Sequence, residues 1–154
     1  MQKLLSGLIL AWACCATFTH ATPLPLARDL AAVAKAAQQQ RVPVFVAFTT
    51  KHCPYCNTAR REYWVPMNSS EHWRSRVIMI EVVLDGPQPF RDFEGRHTTV
   101  REFAGRFGVR GVPTVIVFDA TGAQATMPIV GLASRDFYGV YMERAVEAGL
   151  ARVH

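Results

Sequence analysis

Cysteine is scarce in this chain of 154 residues: there are four, at Cys14, Cys15, Cys53 and Cys56. Only Cys53 and Cys56 form a spaced pair, and no second pair follows downstream. A closed zinc site needs about four ligands, and His52, His72 and His97 show no paired ligand spacing. Neither a metal nor any other cofactor is expected. Concentrated charge is also missing. The formal net charge of +5 comes from arginines scattered at Arg28, Arg60, Arg74, Arg91, Arg106 and Arg135, with no dense basic run and no interleaved aromatics. That pattern describes a solvated basic surface, so nucleic acid is not an expected partner. Repeats and low-complexity tracts are absent. What remains, at 50% hydrophobic and 19% charged, fits one globular domain long enough to bury a sizeable core.

The chain also lacks a full-length apolar span. Its N-terminus, MQKLLSGLILAWACCATFTHATPLP, has an early cation at Lys3, an uncharged stretch from Leu4 to Phe18, and a small-residue ending at Thr19-His20-Ala21. The stretch falls short of the ~20 apolar residues a spanning helix needs. It reads as a secretory signal peptide over residues 1–21, cleaved before Thr22, with a single domain over 22–154. A retained anchor, or a lipoprotein using Cys14 or Cys15, is the competing reading; Trp12 and the adjoining cysteines make a poor lipid-processing site. Cleavage removes Cys14 and Cys15. The exported domain then keeps one close pair and no framework of structural disulfides, which points the pair toward chemistry.

Apolar spacing predicts a helix over Leu26–Gln40 and a buried strand over Val42–Thr49, with the cysteines at its C-terminal end. Pro54 suits the first turn of a helix running toward Pro66, which places Cys53 at the helix N-terminus. A second strand is expected over Arg76–Asp85, then an irregular segment, GPQPFRDFEGRH, and a helix from about Thr98 to Phe107 capped by Thr98 or Thr99. Val112-Pro113 opens a strand over Thr114–Phe118. The turn Asp119–Gly122 leads to a partner strand near Ala125–Val130. Ser134 is expected to cap a last helix in which Phe137, Val140, Tyr141, Ala145 and Val146 share a face. This order predicts an α/β fold, a mixed central sheet with helices on both faces.

FTTKHCPYC after a buried strand, and GVRGVPTVIVFDATG further on, resemble the two active-site segments of the thioredoxin-like superfamily over nearly all of residues 22–154. The signal peptide and the long segment from Asp85 to Thr98 resemble periplasmic members, the sulfur-oxidation-associated thioredoxins and the thiol-donating C-terminal domains of membrane disulfide reductases. The resemblance implies a periplasmic protein thiol-disulfide oxidoreductase. Its partners would be protein disulfide substrates and a membrane electron donor, and signal cleavage would leave no stable membrane insertion. Glutaredoxins also carry C-P-Y-C, but the paired glycines they have after the strand hairpin are missing, since Leu132 follows Gly131.

Residues three apart at a helix start are neighbours that a disulfide can join. With Cys53 as the cap, the N–H groups of Tyr55 and Cys56 and the helix dipole favour its thiolate, making Cys53 the nucleophile and Cys56 the resolving thiol. A structural disulfide, or a redox-inactive binding or metal-delivery module, is the rival reading. The resemblance implies that Pro113 is cis and that Val112 and Pro113 form a substrate edge beside Pro54 and Tyr55; a proline that merely starts a strand is the plainer account. Tyr55 either packs on the fold or contacts substrate, and His52 either tunes the thiolate or is solvated. Phe90 and Phe93 either anchor their loop or recognise a partner. Many thioredoxins hold a buried aspartate six residues before the first cysteine, where this chain has Ala47. Glu81, on the neighbouring strand, is the candidate replacement, taking the proton of Cys56; alternatively it lies in solvent or pairs with an arginine.

Overall fold

A computed structural model describes residues 21–86, 88–132 and 134–153. The expected signal peptide therefore lies outside the described residues, apart from Ala21. Helix α1 (Leu30–Gln40) leads into β1 (Val44–Thr49), followed by α2 (Pro54–Ala59), a π-helical turn (Arg60–Trp64), α3 (Val65–Ser69) and the short α4 (Glu71–Arg74). Strand β2 (Ile78–Val83), the two-residue strands β3 (Phe90–Arg91) and β4 (His97–Thr98), α5 (Val100–Arg106), β5 (Thr114–Phe118), β6 (Ile129–Val130) and α6 (Arg135–Leu150) complete the chain. The central sheet has the order β2-β1-β5-β6, with β1 parallel to β2 and the other pairs antiparallel. It is the expected mixed sheet.

All six residues of β1 are buried, because helices cover both faces. Val44, Val46 and Phe48 pack with Leu30, Ala34 and Phe103 on one face, while Phe45 and Ala47 meet Trp64, Tyr138 and Val146 on the other. Strand alternation divides one apolar run between two cores. Phe90 and Phe93 are buried against Phe103 and Phe118, so they anchor the long segment to the first core. That segment also contains the small β3–β4 hairpin, an addition to the irregular run expected from the sequence.

Several boundaries differ from expectation for identifiable reasons. Helix α1 begins at Leu30, since Asp29 caps it by accepting from the Ala32 N–H at 3.0 Å. The preceding Pro25–Ala27 runs instead along the outer edge of β2: the Glu81 N–H donates to the Pro25 carbonyl and the Ala27 N–H to the Glu81 carbonyl, each at 2.9 Å. This strap covers an edge that would otherwise offer unpaired backbone groups. The helix after Cys53 continues beyond Pro66. The π turn, where the Val65 N–H donates to the Arg60 carbonyl, resets the phase so that Pro66 falls in the first turn of α3.

Strand β6 is confined to the end of the expected Ala125–Val130 run, and just before that run a single bridge joins Phe118 and Gln124. Pro128 has no N–H to give the ladder. The buried face of α6 is Tyr138, Met142, Ala145, Val146 and Gly149, leaving Phe137, Val140 and Tyr141 exposed. Gly149 explains the rotation, as a Cβ there would come within 2.7 Å of Pro43 and 2.8 Å of Val117. Ser134 occupies the cap position of α6 without a side-chain capping bond. Among the described residues no helix is long and apolar enough to cross a membrane.

Candidate active site

β1 ends at Thr49 and hands the chain through Thr50, Lys51 and His52 to Cys53, the N-cap of α2. Asp85, just past β2, accepts the Lys51 N–H at 3.0 Å and ties this loop to the neighbouring strand. Cys53 has an extended backbone (φ −126°, ψ 99°), and its sulfur accepts the Cys56 N–H at 3.1 Å. Of the two amides expected to face this sulfur, Cys56 supplies the bond. Pro54 occupies the first turn, where its missing N–H has no helical partner to lose. The two cysteines are joined in a disulfide with a Cα–Cα distance of 5.2 Å. Cys53 retains 6% exposure and Cys56 none, which matches the expected order of depth. Tyr55 is 64% exposed, so its ring is turned outward and does not pack on the fold. His52 is also exposed.

The Val112–Pro113 peptide bond is cis. Antiparallel pairing of Phe48 with Thr114 places the start of β5 at the same end of the sheet as the Cys53 loop. The turn before Pro113 is held by the Thr114 hydroxyl, which donates to the Gly111 carbonyl at 2.8 Å. The Pro113 carbonyl accepts the Gly131 N–H at 2.7 Å, fixing this turn to the end of β6. Pro113 is buried and Val112 half-buried. A groove of about 300 Å³ runs from Thr50 to Val112 beside this edge.

Glu81 faces α2. It is the register partner of Ala47, the position where the buried aspartate was missing, and it is 4% exposed. Its carboxylate is held: Oε1 accepts the Thr49 hydroxyl at 2.6 Å and Arg60 Nη2 at 2.5 Å, and Oε2 accepts Arg60 Nε at 3.0 Å. Arg60 Nη1 donates to Asn57 Oδ1 at 2.7 Å. A buried carboxylate costs several kcal/mol to ionise unless paired, and the bidentate guanidinium fork supplies that pair. Of the readings open to Glu81, the arginine pair is the geometry found. No hydrogen bond joins Glu81 to either cysteine among the described residues; the link runs through Arg60, one helical turn beyond Cys56.

A model of the thioredoxin-like domain matches residues 30–144. The chain belongs to the thioredoxin-like domain family. Solved structures share the fold at low identity. A poplar thioredoxin h mutant is 13% identical, with 91% of this chain and 92% of that one covered at a TM-score of 0.60. Thioredoxin NaTrxh from Nicotiana alata is 13% identical, with 85% and 99% covered at 0.58. A thioredoxin-fold protein from Helicobacter pylori is 12% identical, with 78% and 85% covered at 0.57. Among curated proteins none matches. Family, fold and the joined Cys53–Cys56 pair make this thioredoxin-like chain a thiol-disulfide oxidoreductase.

Arg60 and Asn57 belong to the site and were not singled out from the sequence. The available signal was spacing: Arg60 stands four residues after Cys56, on the same helix face, and a carboxylate on the strand below needs a cation. Among the described residues no group of three or more His, Cys, Asp or Glu side chains converges as metal ligands. The chemistry this geometry can perform is thiol-disulfide exchange, with one sulfur at a helix N-terminus and its partner one turn inside.

Proposed function

We propose that the protein is an exported reductase of protein disulfides in the periplasm. Cys53 attacks as thiolate, and a substrate thiolate leaves as the mixed disulfide forms. Cys56 then attacks Cys53, releases the second substrate thiolate and closes the Cys53–Cys56 disulfide. Two electrons pass to the substrate, and a membrane dithiol donor returns the protein to its reduced form. The observation that carries this reading is the Cys53 sulfur, capping α2 and accepting the Cys56 N–H beside a cis-proline turn. The same donor and the helix N-terminus favour the thiolate that attack requires. Val112 and Pro113 offer an extended substrate its backbone partner, with Pro54 and the outward Tyr55 on the facing side. In this proposal Glu81 takes the proton of Cys56 in spite of its pairing with Arg60, which holds the carboxylate in place. Three of the roughly four acceptor sites of the carboxylate are filled, which leaves one for that proton.

Substitution separates the roles of the two sulfurs. Cys56→Ser should accumulate mixed disulfides with substrate proteins, seen as reductant-sensitive bands on gels, while Cys53→Ser should not. Equal trapping by both variants would defeat the assignment. Export rests on the N-terminal pattern, and the intact mass of the exported protein tests it: the expected chain begins at Thr22. A product that keeps Met1, or carries lipid on Cys14 or Cys15, would overturn that part.

A further inference from the structure

The groove beside the cis-proline turn is lined by Thr50, Leu84, Arg101, Val109, Arg110 and Val112. Arg101 and Arg110 are both exposed, and among the described residues neither guanidinium makes an ion pair or hydrogen bond. This sets them apart from Arg60, Arg91, Arg96 and Arg106, each of which is matched to a carboxylate. Two carboxylates stand next in sequence to groove residues; each keeps its charge, and neither is paired with Arg101 or Arg110. Asp85 accepts the Lys51 N–H, and Glu102 is occupied by Thr98 and Thr99 in the capping box of α5. Lys51 and His52, both exposed, carry the basic character from the groove toward Cys53. Among the described residues, unpaired arginines also stand elsewhere on the surface, at Arg28, Arg41, Arg74, Arg135 and Arg144; what distinguishes Arg101 and Arg110 is that both line the groove that ends at Val112, beside the cis-proline turn.

We infer that the disulfide substrates of this protein are acidic around the reacting cysteine, with an Asp or Glu two residues along the bound segment that Arg101 and Arg110 receive. The inference rests on the reductase reading of Cys53 and Cys56 and names its substrate class. An extended segment bound along Val112 rises ~3.3 Å per residue and returns to the same face every second residue. A substrate carboxylate at that spacing would enter the groove that Arg101 and Arg110 share with Val112, and their planar forks match a carboxylate. Exposed pairs contribute little to static affinity. A groove lined by two unpaired arginines acts mainly on encounter, where steering raises association rates by about 10- to 1,000-fold at low salt.

The test uses the reduced protein and two synthetic peptides, each with one internal disulfide, identical except for Glu or Lys at the flanking positions. Second-order reduction rates are measured at low salt and again at about 0.5 M salt, where the screening length is only a few ångströms. The Glu peptide should react about tenfold or more faster, and the gap should close at high salt. In the Arg101→Glu/Arg110→Glu variant the ratio of the two rates should invert, and in Arg101→Gln/Arg110→Gln it should approach one. A small neutral disulfide, bis(2-hydroxyethyl) disulfide, measured on each variant, normalises for the amount of folded protein. Equal rates for the two peptides, or a ratio that survives both double substitutions, would overturn the inference. Should the native protein fail to reduce even the neutral disulfide, the reductase reading itself would fall, and this inference with it.

Discussion

Among the described residues two carboxylates are buried, Glu81 and Asp92, and they are buried differently. Asp92, in the long segment between β3 and β4, is 1% exposed. It accepts the backbone N–H groups of Glu94 and Arg96 at 3.1 and 2.8 Å, Arg96 Nε at 3.0 Å and Arg106 Nη2 at 2.9 Å. Its four acceptor sites are filled, and the result is mechanical: the segment is tied to α5 while Phe90 and Phe93 fill the core beneath it. Glu81, with three bonds from Thr49 and Arg60, keeps one site open and lies under the helix that carries the resolving cysteine. A saturated buried acid is a clamp. An unsaturated one, joined by Arg60 to the helix of the resolving cysteine, keeps a lone pair with which a proton can be exchanged.

The largest effect expected from breaking this contrast is at Glu81. Glu81→Gln keeps an acceptor for Thr49 but removes the charge and the proton acceptor. The release of the Cys53 mixed disulfide by Cys56 should slow by roughly a hundredfold near neutral pH, the lower end for a general base. The first attack by Cys53 should change little. Single-turnover kinetics with a peptide disulfide separates the two steps, and the deficit should shrink as pH rises and Cys56 ionises without help. An equal slowing of both steps, or one independent of pH, would show that Glu81 only holds α2 in place.

How far the sequence allowed this contrast to be seen depends on which interactions were local. The Cys53–Pro54 start of α2, the buried β1 and the strand after Pro113 follow from short apolar runs bounded by proline and polar residues, and each appears where expected. The face of Glu81 followed from simple strand alternation. Its partner did not, because Arg60 begins a π turn and the arginine meets Glu81 only once α2 lies over the sheet. The strap at Pro25–Ala27 was invisible for a similar reason: its backbone partner, Glu81, lies more than fifty residues away, and Leu26 fits helical spacing equally well. The face of α6 was misread because Gly149, which carries no hydrophobic signal, decides where that helix can approach Val117.

A smaller effect is expected at Asp92, and pH reveals it. Burial alone pushes its carboxyl up, but hydrogen bonds from the Arg106 and Arg96 side chains and the Arg96 backbone outweigh this and bring it from 3.8 to about 2. A folded-state value below the unfolded one means that the unfolded chain binds the proton more readily. The stabilisation is therefore complete above pH 3.8 and is lost as pH falls through about 2. The shift corresponds to about 2–3 kcal/mol before screening, and solvent and salt reduce it because the side chains of Arg96 and Arg106 are 62% and 39% exposed. Glu94, which also accepts from Arg96, and Glu102, whose carboxyl is lowered chiefly by the Thr99 N–H, lie nearby. The difference between two proteins isolates Asp92 from them. Denaturant unfolding of the native protein and of Asp92→Asn should differ by about 1–2 kcal/mol near neutral pH, with the two curves converging between pH 4 and 2. Reduction of a peptide disulfide per folded molecule should be the same in both. Curves that stay parallel to the acid limit would mean that Asp92 gains its strength from packing and not from its charge, and the clamp would then be the phenylalanines alone.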